Sequence, residues 1–244
     1  MTEAIIEQLK DDAQYYGEFG KQFLSNSDIY TLLREPKKFL EPKESTLPML
    51  HGSYLHTAIL EPHKLDKFEV IDASTRNTKV YKEAKLESGK DWLLLAKEKE
   101  DLDKLTDEFL GNQDFADLLL LDENRFEVPG VKEIEGFMWK GKCDVLGPEL
   151  ILDIKTTSNL DKFHYSARDY NYDSQAYIYN QIFGLPMVYL VIEKGSGRMN
   201  KYECSDDFYI TGKHKMLKAM EIYNKYFAPD AKGDIRQHYE TKTL

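Results

Sequence analysis

Apolar positions recur along the chain with two periods, and each period predicts its own elements. Residues 3 to 15 carry a helical pattern and read as a helix or a fraying arm. Ser27 is placed to cap a helix through Leu33 that ends near Pro36, and Pro36 to Pro48 is a charged connector. From Pro48 to Leu60, Leu50, Tyr54, Leu55, Ala58 and Ile59 return at helical spacing, and Gly52 leaves room for a neighbouring backbone. Asp91 is the expected cap of a long helix through Leu110, striped by Leu94, Leu95, Leu102, Leu105, Phe109 and Leu110, and a short helix follows from Asp114 to Leu121. After the turn residues Asp122-Glu123-Asn124 the period changes to two. Arg125 to Val128, Ile134 to Trp139, Gly141 to Leu146 and Glu149 to Lys155 are expected strands, with Gly147-Pro148 turning the last two against each other. A helix capped at Asp173 or Ser174 ends at Phe183, with Gly184 beyond it. Strands at Met187 to Glu193 and Met199 to Cys204 flank the turn Lys194 to Gly197, and an amphipathic helix runs from Asp206 to Phe227. Ala228 to Leu244 is a polar, loose tail.

The chemistry gathers where Leu150-Ile151-Leu152 and Ile154 interleave with Asp153 and Lys155. Side chains alternate across a strand, so Asp153 and Lys155 share one face while Leu152 and Ile154 enter a core. The turn at Gly147-Pro148 brings Asp144 beside Asp153. Two carboxylates and an ammonium at one spot suit a hard divalent cation and the activation of water. Thr156 and Thr157 offer hydroxyls where a phosphate can lie. Gln175 and Tyr179 sit one turn apart on one helix face. An isolated D-x-K is common and most such residues are simply solvated, so position beside Asp144 at the end of an apolar run is what singles this one out.

These residues, D…D-I-K-T-T followed by Q-x-x-x-Y, resemble the PD-(D/E)XK nuclease superfamily in its RecB-like branch, and within it the phage-type exonuclease VIII (RecE-like) group. Ser25-Asn26-Ser27 with Tyr30, Leu32-Leu33 and Pro36 is similar to that group's opening helix, and His51 to Pro62, HGSYLHTAILEP, to its G-x-x-x-H-x-x-x-L-E-P segment. The resemblance covers residues 25 to 200. It implies an α/β fold of restriction-endonuclease type: a mixed sheet flanked by helices, closed on one side by a helical N-terminal part. A single domain over residues 1–244 is expected, with parts at 1–121, 122–205 and 206–244. The resemblance also implies that His56, rather than His51 or His63, is a metal ligand together with Asp144, Asp153 and the backbone carbonyl of Ile154. These would hold one or two Mg²⁺ or Mn²⁺ ions. Lys155 would then orient water or stabilise the charge of the reacting phosphate, with its own pKa pushed down, and Gln175 and Tyr179 would bind the scissile strand or neighbouring site residues. The expected activity is DNA hydrolysis, most simply by an exonuclease at DNA ends. An endonuclease or nickase would use the same residues, and a silent DNA-binding module would not need them intact. A single-strand annealing or recombination protein and further copies of the chain are the partners such proteins have. Glu127, on an expected strand, is left outside the metal set because a surface carboxylate there is as ordinary.

Composition changes this picture little. The 244 residues are 41% hydrophobic and carry a net charge of −10, which excludes a basic nucleic-acid coat but not a local basic groove. The basic stretch is 72 to 90, where Lys79, Lys82 and Lys85 follow Arg76. They form either a solvated helix face or an arm tracking phosphates, with Tyr81 and Trp92 near enough to stack on bases. Cys143 and Cys204 cannot supply a four-thiolate iron–sulfur cluster, and a disulfide between them is not expected in a reducing compartment. No apolar run approaches the roughly 18 residues of a membrane helix. The first residues are acidic and amphipathic rather than a signal peptide, so a bacterial or phage-infected cytoplasm is the expected location.

Overall fold

The computed structural model describes residues 2–43 and 45–239. The N-terminal arm holds α1 (Thr2–Leu9) and α2 (Asp12–Tyr16), packed through Leu9, Tyr15 and Phe23 onto Val131. Helix α3 (Asn26–Arg34) begins two residues earlier than the pattern predicts. Its cap is Ser25 and not Ser27, because Asp28 accepts from both the Ser25 N–H (2.8 Å) and its hydroxyl (2.7 Å). Helix α4 (Leu47–Leu60) follows; Gly52 has open space beside it and brings no backbone close. Two strands the pattern did not predict, β1 (Val70–Ile71) and β2 (Leu94–Leu95), pair in parallel around α5 (Lys79–Ser88). Leu94 and Leu95 therefore leave the expected helix. Helix α6 (Ala96–Leu110) starts only after them, with Glu98 accepting the Leu95 N–H at 3.0 Å instead of a cap at Asp91. Helix α7 (Gln113–Leu119) leads to the main sheet.

That sheet has five strands in sequence order. β3 (Arg125–Ile134), β4 (Phe137–Leu146) and β5 (Ile151–Thr157) form an antiparallel meander. Two helices, α8 (Phe163–Asp169) and α9 (Tyr172–Phe183), cross over to β6 (Met187–Glu193), parallel to β5, and β7 (Met199–Glu203) returns antiparallel. The expected strand from Ile134 to Trp139 is in fact a hairpin turn. Glu135 and Gly136 both have positive φ (51° and 81°), the geometry of a two-residue turn that follows strand twist. Helix α8 lies in a stretch for which the pattern predicts no element. Helix α9 begins after Asn171, which takes φ 59°, so Asp173 and Ser174 lie inside the helix. Asp173 pairs there with Lys215, and Ser174 bonds Asn26 at 2.6 Å. Helix α10 (Asp206–Tyr226) crosses α9 so closely that a Cβ on Gly212 would stand 2.0 Å from the Asp173 carbonyl.

Helices cover both faces. Ile29 and Leu32 of α3, Ala176, Ile178 and Tyr179 of α9, and Met216, Ala219 and Met220 of α10 pack on one side with Trp139, Cys143, Ile151 and Val191. Leu55 and Leu60 of α4, Leu105 and Phe109 of α6, and Phe115 and Leu119 of α7 pack on the other with Val145, Leu152, Ile154 and Leu190. This is a mixed α/β sheet flanked by helices, the restriction-endonuclease-like arrangement. The tail is less loose than expected: the Gly233 N–H returns to the Lys225 carbonyl (3.0 Å) and the His238 ring meets Tyr226 edge-on; residues 240–244 lie outside the described residues. Among the described residues no helix is long and apolar enough to cross a membrane.

Candidate active site and metal centre

One register row crosses three strands. β3 pairs with β4 through Phe126 and Val145 and through Val128 and Cys143, so Glu127 falls opposite Asp144. β4 pairs with β5 through Val145 and Leu152, and one more step places Asp144 opposite Asp153. The row is not regular sheet. Cys143 enters the α9 side of the core and Val145 the α4 side, although residues two apart in a strand should share a face. The break is centred on Asp144. Glu127, across from it, holds φ 49°, a left-handed conformation that costs a side-chain-bearing residue on the order of 1–3 kcal/mol.

Helix α4 delivers His56 to this break. Leu55 and Leu60 anchor the helix under the sheet, and His56 Nδ1 lies 3.3 Å from Asp144 Oδ2. Asp144 Oδ2 also accepts the Ile154 N–H at 2.7 Å. At Ile154 the contact recorded is thus made by the amide, whereas the expected ligand was its carbonyl. One donor atom each from His56, Glu127 and Asp144 lies within 4.8 Å of the others. Asp153, 1% exposed, stands beside this trio rather than in it. Its carboxylate is ion-paired with Lys155 and accepts from Gln175 Nε2 at 2.7 Å. The Lys155 ammonium lies 4.8 Å over the Tyr172 ring and 5.8 Å over that of Tyr189.

Burial and mutual charge set the protonation of these groups. Desolvation, and then the neighbouring Asp144 charge, pushes Glu127 up to about 7. Desolvation also raises Asp153, to about 6, against the pull of Lys155. For His56, burial opposes the charge but the Asp144 carboxylate outweighs it, and the imidazole reaches about 9. Asp144 itself is held below its usual range, because His56 overcomes the burial. Lys155 moves opposite to expectation. Burial works to neutralise it, but Asp153 more than compensates, and its pKa lies above the ordinary lysine value.

The remaining expected residues scatter. Thr156 is half-buried and, by alternation, on the opposite face of β5 from Asp153 and Lys155. Tyr179 is 8% exposed and does not fit a substrate contact: its hydroxyl donates to the Lys142 carbonyl (3.0 Å) and accepts the Lys142 N–H (3.3 Å). Lys79, Lys82 and Lys85 are exposed on α5, over a separate small cluster of Tyr81, Leu93 and Leu95. Of the side chains near them, Glu83 pairs with Lys79, the Trp92 ring lies 5.5 Å under Lys85, and Arg76 is taken by Glu98. Glu127 is the site residue that sequence reading set aside. The signal for it was arithmetic: a turn centred on Glu135-Gly136 pairs residue 127 with 144.

Comparison with known proteins bears on the family and the fold. The profile of a family described as a PDDEXK-like domain of unknown function (DUF3799) matches residues 21–226. No curated protein matches the sequence. Among solved structures, one from Eubacterium rectale described as a "Putative exonuclease" superposes with a TM-score of 0.64 at 18% identity, over 96% of this chain and 95% of that one. At that identity the likeness speaks for the fold. Another, SSO0001, has a TM-score of 0.37 at 14% identity over 90% of this chain and 85% of that one, too loose to argue from. Family and fold together support a nuclease, a class that works with divalent metals. With Asp144 on β4 and D-I-K on β5 inside a match that spans most of its length, the chain belongs to the PDDEXK-like family.

Proposed function

We propose that this protein is a divalent-metal-dependent DNA nuclease hydrolysing phosphodiester bonds, and that it acts as an exonuclease on DNA ends in phage-type recombination, replication or repair. The observation that carries this is the trio His56, Glu127 and Asp144 adjoining the Asp153–Lys155 pair. Two carboxylates and an imidazole with donor atoms within 4.8 Å fit a Mg²⁺ or Mn²⁺ ion, and the imidazole leans the choice towards Mn²⁺. Asp153 borders the trio, and the Ile154 carbonyl is the further donor that the family resemblance implies. When bound, the ion supplies positive charge at the phosphoryl oxygens and makes water more acidic.

The protein's own groups do the rest. Asp144 is oriented by the Ile154 N–H, and Asp153 by Gln175, so Gln175 acts as a positioning residue. Lys155, kept charged by Asp153, stabilises negative charge growing on the phosphate and is not a base. The α5 lysines Lys79, Lys82 and Lys85 offer phosphate contacts at a distance from the reaction, as single-strand grooves do. The same family resemblance to RecE-like enzymes makes a recombination or annealing protein, and further copies of the chain, the expected partners in a cytoplasmic setting.

The test is digestion of linear and covalently closed circular DNA, with end-labelled strands, in Mg²⁺ and in Mn²⁺. An exonuclease shortens the linear DNA from an end and leaves the circle closed. Nicked or linearised circles would make it an endonuclease, and intact DNA of both forms would sink the nuclease reading.

A further inference from the structure

The N-terminal arm precedes the family-matched span, which begins at residue 21, yet it reaches the active site. Two lysines of β4 hold it there. Lys140, 7% exposed, donates to the Tyr15 carbonyl and lies 4.3 Å over the Tyr15 ring. Lys142, two residues before Asp144, pairs with Asp12 and lies 4.5 Å from the Tyr15 ring and 5.5 Å from that of Tyr16. Buried lysines are costly unless their charge is used, so this fastening is specific. Its product is an odd residue. Tyr15 is buried beneath, but Tyr16 is 69% exposed, held edge-on against Tyr15 with centroids 4.9 Å apart. A ring so exposed adds little to the core. It nevertheless stands beside the site: Lys142, 5.5 Å from its ring, lies two residues before Asp144 and pairs across the sheet with Pro129, two residues after Glu127. Lys142 is the cation beside it. Burial would raise the Asp12 carboxyl, but Lys142, then Lys64 and Lys67 of the 3-10 turn Pro62–Lys67 that follows α4, outweigh that and hold it below its usual value. A fixed, open aromatic face with a lysine beside it is the arrangement that binds unpaired nucleotides, since every base has a face to stack while the phosphates follow the charge.

We propose that Tyr16 is a stacking platform for one unpaired base next to the bond cleaved over Glu127 and Asp144, so that the preferred substrate is a single-stranded or frayed DNA end. This rests on the nuclease reading and narrows its substrate class. Tyr16 sets specificity; it does not take part in bond breaking.

Single-turnover cleavage of single-stranded oligonucleotides, with enzyme titrated to saturation, tests it. Tyr16→Ala should raise the half-saturating enzyme concentration by about 5- to 150-fold, the range expected for stacking one base on one ring, with the saturated rate retained. Tyr16→Phe should restore it. An abasic nucleotide, stepped from the labelled end, should cost the parent a similar factor at one position and cost Tyr16→Ala nothing further there. A blunt duplex should be used less well than a duplex with a frayed end by the parent, and the difference should shrink in Tyr16→Ala. The proposal is overturned if Tyr16→Ala saturates like the parent, if Tyr16→Phe is as impaired as Tyr16→Ala, or if the abasic and Tyr16→Ala losses multiply. The abasic and frayed-end series on the parent are read without any variant: no position-specific penalty there also overturns it. A parent that cleaves no DNA at all fails the nuclease reading itself and shows this before any variant is made.

Discussion

At Glu127 a carboxylate is placed in a backbone conformation it disfavours, opposite another carboxylate, and both features are costs to folding. Glu127→Gly should therefore raise the melting temperature measured without divalent ions, while weakening Mn²⁺ binding. A rise in melting temperature with unchanged Mn²⁺ affinity would remove Glu127 from the metal set. The protonation states give that affinity a direction with pH. Glu127 and His56 each have to lose a proton before they can donate to a cation, and their values of about 7 and about 9 lie above the ordinary ones. Mn²⁺ binding should thus strengthen as pH rises from about 7 to about 9, by about tenfold per pH unit for the one proton of His56. Calorimetry in buffers of different ionisation enthalpy measures the released proton, and His56→Gln should abolish the dependence in that window. Lys155 poses a separate question, because a charged ammonium paired with Asp153 can serve chemistry or merely affinity. Lys155→Ala and Lys155→Arg should bind metal and DNA nearly as well as the parent but cleave far more slowly at saturation, since Arg spreads its charge over a planar fork. Cleavage by Lys155→Ala at the parent's saturated rate would take Lys155 out of the catalytic set.

At the scale of elements, α9 binds to β4 through one side chain, Tyr179, that sequence reading assigned to the scissile strand or to neighbouring site residues. The Tyr179 hydroxyl satisfies both backbone groups of Lys142, and its ring lies where a Cβ on Gly141 would approach to 2.6 Å. Tyr179→Phe leaves those buried backbone groups unpaired, and Gly141→Ala overpacks the ring; each should cost about 1–3 kcal/mol in stability. Thermal melting should show the loss, with the saturated cleavage rate kept. Unchanged melting with weakened DNA binding would return Tyr179 to the substrate side. The same contrast explains what could be read beforehand. Asp153 and Lys155 were legible because alternation on a strand beside an apolar run fixes their faces, and Asp144 because the Gly147-Pro148 turn sets it opposite Asp153. Glu127 was not, because its register depends on a Glu-Gly turn, a weaker hairpin signal than Asn-Gly. Helix α8 was missed because its apolar residues Phe163 and Ala167 are too few for a periodic stripe. The start of α6 was misplaced because Leu94 and Leu95 suit both a helix stripe and a strand, and pairing with Val70 and Ile71 decided between them. Tyr179 has the helical spacing of Gln175, yet only tertiary packing tells which of the two reaches the carboxylates.

The molecule as a whole carries a net charge of −10, so DNA meets it against an average repulsion. The candidate site deepens that repulsion locally, with Glu127, Asp144 and Asp153 in one row against Lys155 and His56. Attraction has to come from two sources, lysines placed around the site and a cation within it. These sources respond differently to mutation. Neutralising a carboxylate in the row relieves repulsion but removes a ligand. At pH 8, where Glu127 is ionised, Glu127→Gln should therefore bind a labelled oligonucleotide more tightly than the parent when no divalent ion is present, by about fivefold, as expected for roughly 1 kcal/mol of relieved charge repulsion in high dielectric, whereas Asp144→Asn also discharges His56 and should change that binding little. Added Ca²⁺ should tighten the parent's binding more than NaCl of matched ionic strength does, and should do far less for either variant. Fluorescence anisotropy measures all of these under one set of conditions. Replacing Lys79, Lys82 and Lys85 by Ala should do the opposite, weakening binding with and without Ca²⁺ and flattening its dependence on salt. If the parent and Glu127→Gln bind equally at pH 8 in the absence of divalent ions, the phosphate does not pass over this row, and the bond to be cleaved lies elsewhere on the molecule.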